Sequence, residues 1–183
     1  MHRNPIAYLH KAIVIALLMN NDFSDFDLNN QYSNFSRKEP LLYGQVVDHH
    51  AIIEAESNFN PRAISNSKAL GLMQIVQNTA GRDVFKMQGK VGRPTKNMLL
   101  NPEKNIDIGT AYLSLLRDNY LSSINNPISK KYATIASYHG GVTAMLSVFS
   151  RDQMKAFQII NHLHPDDVYQ YICAHHSSLE SHF

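Results

Sequence analysis

Proline and glycine divide this chain into helix-length segments, and no run of alternating β-branched residues lies between them. Asn101-Pro102-Glu103 has the order of a helix start. Asn supplies a cap, Pro occupies a first position that needs no N–H, and an acid sits in the first turn. The helix it opens carries Ile106, Leu113 and Leu116 toward a core. Another runs from about Pro127 to Tyr138 and stops at Gly140-Gly141. Ser150-x-x-Gln153 reads as a capping box ahead of Ala156, Phe157, Ile160 and Leu163, and Pro165 opens a last short helix through Tyr169 and Ile172. Upstream, 42–58 is a helical stretch in which Val46, Ile52, Ile53, Ala55 and Phe59 are apolar. The pattern predicts an all-α fold without internal repeats.

With 183 residues the chain is long enough for one domain with a sizeable core. Its 17 basic and 15 acidic residues give a formal charge of +2, far from the basic excess of a nucleic-acid surface. A helix-turn-helix nucleic-acid binder is therefore the weakest class considered. The one cysteine, Cys173, excludes an internal disulfide and a Cys-based zinc cluster. Ten histidines include the pairs His49-His50, His162-x-His164 and His175-His176, with His50 and Glu54 one helical turn apart. No HExxH spacing is present, and neighbouring histidines on a helix point different ways, so solvated side chains are the better reading than a metal site. No cofactor is called for.

At the N-terminus, Arg3 and Lys11 precede the apolar run 12–19. That length fits a secretory h-region and is too short to span a bilayer, so no stable transmembrane segment is expected. No small-x-small cleavage pattern follows. A buried helix with Ile6, Leu9, Ile13 and Leu17 on one stripe is the alternative, and both readings stay open. Residues 20–40, rich in Asn, Asp and Ser, read as a loop or linker. The expected division is 1–40 as N-terminal helix and linker, or degenerate export signal, and 41–183 as the main helical domain.

Glu56 shares a helical face with Ile52, Ile53 and Phe59, while Glu54 points elsewhere. Pro61 disfavours helix at Asn60, so the helix ends within a turn of Glu56. Apolar neighbours and the negative end of the helix dipole both favour a protonated carboxyl, which suits a general acid. On pattern alone a surface glutamate near a helix end is the commoner case. Downstream, Ser65 and Ser67 flank Asn66 in a loop. Gly71 permits close backbone approach, Met73 is core filler or groove lining, and Gln74 has an amide suited to a sugar hydroxyl or acetamide.

The stretches ESNFNPRAISNSKALGLMQI (56–75), NTAGRDVF (78–85), NPEKNIDIGTAYLSLL (101–116) and SYHGG (137–141) resemble the catalytic domain of the lytic murein transglycosylases, its membrane-bound branch above all. The resemblance runs from about residue 42 to 180 and leaves the first 40 residues unmatched. It implies a lysozyme-like helical domain with a substrate groove, acting on peptidoglycan glycan strands in the periplasm or cell envelope, as a monomer. Members cleave the β-1,4 bond between N-acetylmuramic acid and N-acetylglucosamine without water and leave a 1,6-anhydro ring. One glutamate serves both steps, unlike the paired carboxylates of ordinary glycosidases. Carried over residue by residue, Glu56 is that catalytic glutamate. Ser57, Ser65, Ser67, Met73, Gln74, Tyr138 and His139 match positions around it or along the groove. Tyr138 is expected to orient the acetamide or the glutamate.

Three departures stand out. The family usually has Asn where this chain has His139, and a smaller pair where it has Val142-Thr143, expected to crowd a turn. An Arg-Tyr-x-Tyr-Lys helix usual in the family, with a tyrosine near the glutamate, finds no match in Tyr169, Tyr171 or Phe183. Two further readings follow: a weak or inactive peptidoglycan binder of the same fold, and a muramidase that uses water.

Overall fold

Side-chain caps fix where most helices begin. In the computed structural model, which describes residues 43–175 and side chains from residue 49 on, Asn101 accepts from Lys104 N and Asn126 accepts from Ile128 N and Ser129 N. Thr95, Asp152 and His164 cap in the same way. The helices are α1 (Tyr43–Ser57), α2 (Arg82–Met87), α3 (Lys96–Leu99), α4 (Pro102–Leu115), α5 (Pro127–Gly140), α6 (Val142–Ser147), α7 (Gln153–His162) and α8 (Pro165–Ala174). One π-helical turn, Gln77–Gly81, leads into α2, and another, Leu116–Tyr120, extends α4. The described residues hold no strand, only isolated bridges pairing Ile64 with Leu70 and Leu70 with Ile75. The fold is all-α. The expected helix and linker within 1–40, His176 and Phe183 lie outside the described residues.

Two apolar clusters make the core, and α1 belongs to both. Ala51 and Ala55 pack with α5 to α8, through Tyr132, Ala136, Met145, Ile160 and Ile172 among others. Ile52 and Ile53 pack with Leu72, Met73, Ile75, Val84, Leu99 and Ile108. Side chains of this size contribute about 1.5–3 kcal/mol each when fully buried. Glu56 follows Ala55 directly, so the seam between the clusters sets its position.

Several expectations are corrected in detail. The capping box at Ser150 is absent: Asp152 caps α7, and Ser150 Oγ instead accepts from Asp152 N at 3.1 Å. Val142 and Thr143 do not crowd a turn but open α6, because Gly141 takes the reversal at φ +84°. α4 buries Asn105, Ile108, Gly109, Leu113 and Leu115, and Leu116 after it is buried, while Ile106 is only half-buried. A polar residue among them hides this face from an apolar period.

Candidate active site

α1 ends at Ser57, and Asn58 and Phe59 reverse the chain in the left-handed region, at φ +50° and +60°. Lys68 and Gln74 also take positive φ, so all four non-glycine residues of this kind among the described residues lie within 58–74. Each such conformation costs on the order of 1–3 kcal/mol and persists only where its surroundings enforce it. Asn105 anchors the 70–73 part of this segment. Fully buried, it accepts from Met73 N at 2.7 Å and donates to Leu70 O and Leu99 O at 2.8 Å each. Gly71, at φ +76°, has room for no side chain, because a Cβ there would collide with Leu99 O and the Asn105 amide. Nothing in an apolar periodicity singles out Asn105. Its signal was an amide set one turn behind the Asn-Pro helix start.

Glu56 has a side chain 12% exposed, and its Oε1 lies 3.7 Å from His139 Nδ1. Tyr138 approaches from the same turn of α5. Its hydroxyl donates to Met73 O at 2.7 Å, and its ring packs against Tyr112 with centroids 5.6 Å apart. Burial first, then the charge of Glu56 and the neighbouring Tyr112, hold the Tyr138 phenol well above its ordinary range. Tyr112 is pushed up to about 12, chiefly by burial. Tyr138 is therefore a neutral donor whose single proton is committed to the backbone, and it orients the 71–75 turn.

The other expected residues divide by what their polar atoms already hold. Ser57 is buried and donates to Ile53 O at 3.1 Å within its own helix, so its hydroxyl is turned away from solvent. Ser65 and Ser67 lie 2.9 Å apart through their hydroxyls, and Ser65 Oγ accepts from Ala69 N. That pair closes a turn in which Ser67 remains exposed. Gln74 donates to Gly71 O at 2.9 Å and to Ala63 O at 3.3 Å, so both amide protons brace the loop. Met73 is corrected outright. Its side chain is fully buried, with the sulfur packed where a Cβ on Gly109 would stand, so it fills the core and lines no groove. Tyr169 packs on Tyr132, and Tyr171 stacks between Phe149 and His175. Among the described residues no three His, Cys, Asp or Glu side chains are grouped to hold a metal ion.

A family model described as Transglycosylase SLT domain matches residues 48–161, most of the chain. The chain belongs to the lytic transglycosylase family. A second model, described as the N-terminal domain of membrane-bound lytic murein transglycosylase C, matches residues 1–63. The likeness therefore extends over the first 40 residues, which the sequence reading left unmatched. A membrane-bound lytic murein transglycosylase C of Sodalis glossinidius is 40% identical over 97% of this chain and 70% of its own length. Proteins of that name from Pectobacterium atrosepticum and Photorhabdus laumondii are each 38% identical, over the same shares. The first alignment runs over 250 positions against 183 residues here, so within its span the relative carries stretches that this transglycosylase lacks. Among the described residues no helix is long and apolar enough to cross a membrane.

Proposed function

We propose that this protein cleaves the MurNAc–GlcNAc β-1,4 bond of peptidoglycan as a lytic transglycosylase of the cell envelope, with Glu56 as its single acid and base. The observation that carries the assignment to Glu56 is its placement: a largely buried carboxyl at the end of α1, faced by Tyr138 and His139 of α5.

In the first step the Glu56 carboxyl gives its proton to the GlcNAc O4 as the C1–O4 bond breaks. The muramic acetamide oxygen bonds to C1 in place of the leaving group. In the second step the Glu56 carboxylate takes the proton of the C6 hydroxyl, O6 attacks C1, and the bond from the acetamide oxygen to C1 breaks. Protons balance, Glu56 ends as it began, and no water is consumed. A hydrolytic enzyme would instead need a base positioned for water, commonly a second carboxylate.

We assign residues 63–75 to one wall of the substrate groove. Ser65, Ser67 and Gln74 shape it through the turns they close, and we assign exposed Ser67 a contact with sugar. Tyr138 acts through the Met73 carbonyl that it holds. Mass spectrometry of purified peptidoglycan after incubation with native protein and with Glu56→Gln tests the reading. Anhydromuramic ends formed by the native chain and lost in the variant are expected. Reducing ends in their place would mark a hydrolase, and sacculi that are bound but uncut would mark a binder.

A further inference from the structure

We propose that His139 is a positioning residue that holds the Glu56 carboxylate in the interval between its two proton transfers; this rests on the reading of Glu56 as acid and base. Once Glu56 has given up its proton it carries a negative charge, and with 12% of its side chain exposed it receives little help from water. Donors from the protein must take over that part. Three polar neighbours in the expected set have their protons turned elsewhere. Ser57 donates to Ile53 O, Gln74 to Gly71 O and Ala63 O, and Tyr138 to Met73 O. His139 differs, because its Nδ1 faces Glu56 Oε1 at 3.7 Å.

An imidazole carrying a proton on Nδ1, neutral or cationic, donates at that atom. Closing the separation by less than 1 Å gives an ordinary charge-assisted bond of about 2.7–2.9 Å. The ring is 29% exposed and sits at the last turn of α5. The bond forms as the carboxylate forms, so its strength falls on the charged intermediate and on the transition states flanking it rather than on bound substrate. Asn, usual at this position in the resembling family, offers a shorter donor with no ring, so the imidazole is this chain's own way of supplying the bond.

The test uses the whole chain and a soluble glycan oligomer, with release of anhydromuramic product followed to obtain kcat and KM. His139→Phe keeps a ring and removes the donor. The expected result is a fall in kcat of about 10- to 100-fold, the scale of a lost donor to developing charge, with KM within about threefold and an unchanged urea midpoint. His139→Asn should return kcat to within about fivefold of native. A His139→Phe variant with native kcat would overturn the proposal, as would a change confined to KM, which would make His139 a substrate contact. If the native chain itself yields no anhydro product, the transglycosylase reading fails instead, and the two failures cannot be confused.

Discussion

Replacing Asn105 is the sharpest probe of how the site is held. In Asn105→Ala the three bonds of the amide disappear together, but they do not count equally. Leu70 O also accepts from Ile75 N at 3.0 Å and keeps a partner. Met73 N and Leu99 O each lose the bond that Asn105 gave them, at a site with no exposure. A buried group stripped of its partner costs about 1–3 kcal/mol, so the two together come to about 2–6 kcal/mol, against a total stability of about 5–15. Asn105→Asp keeps the acceptor for Met73 N and sets an oxygen against two carbonyls, so it should be no better than alanine. Urea unfolding is the assay. With a slope of about 1–3 kcal/mol per molar, the midpoint should fall by roughly 2 M with the slope unchanged. Product formation, measured well below the midpoint, should fall as well, because Met73 carries the Tyr138 contact. A midpoint within roughly 0.3 M of native for both variants, against that slope, would refute the reasoning.

Further outcomes follow from the same geometry. Tyr138→Phe removes the donor to Met73 O while keeping the ring, and should lower unfolding free energy by about 1–2 kcal/mol in denaturant titration and slow anhydro-product release. Gly71→Ala combines a left-handed φ with collision against Leu99 O and Asn105, so a loss of more than about 2 kcal/mol is expected; an unchanged melting curve would remove Gly71 from the argument. His49 is lowered to about 4 by burial first and then by His50 and Arg117, against an ordinary 6.5. The unfolded chain therefore takes up a proton that the native one refuses, and stability falls as pH drops from about 6.5 to 4, by up to about 3 kcal/mol. His49→Gln should flatten that slope. Asp118, held low mainly by Arg117, acts in the same sense, its contribution being lost as pH falls through and below its ordinary 3.8, so the two losses occupy successive pH windows.

Helix starts were legible wherever a local signal sufficed. Asn101-Pro102 and His164-Pro165 open helices where their local chemistry says, and Gly141 ends α5 with the positive φ that its position suggests. Glu56, at the end of an apolar helix, was legible as a candidate acid for the same reason. Contacts across long separations were not. Nothing local tells that the Met73 sulfur goes to Gly109, that Tyr138 spends its proton on a carbonyl 65 positions away, or that Asn105 is a core residue. Asp152 displaced Ser150 as cap because it stands directly before the first helical residue, and a pattern search that weighs spacing over adjacency misses it.

The shared helix α1 has a consequence for when this protein can act. A chain able to cut cell wall is hazardous in any state that is only half assembled. Here Glu56 stands on a helix that both apolar clusters grip, while the residues facing it come from α5, and the 70–73 turn is pinned by α4. Packing of α1 on α5 in the first cluster brings carboxyl and imidazole together, and the second cluster adds the Met73 carbonyl that Tyr138 holds. The full arrangement therefore needs both clusters, and a local opening of the second would release the Tyr138 contact while leaving α1 packed on α5.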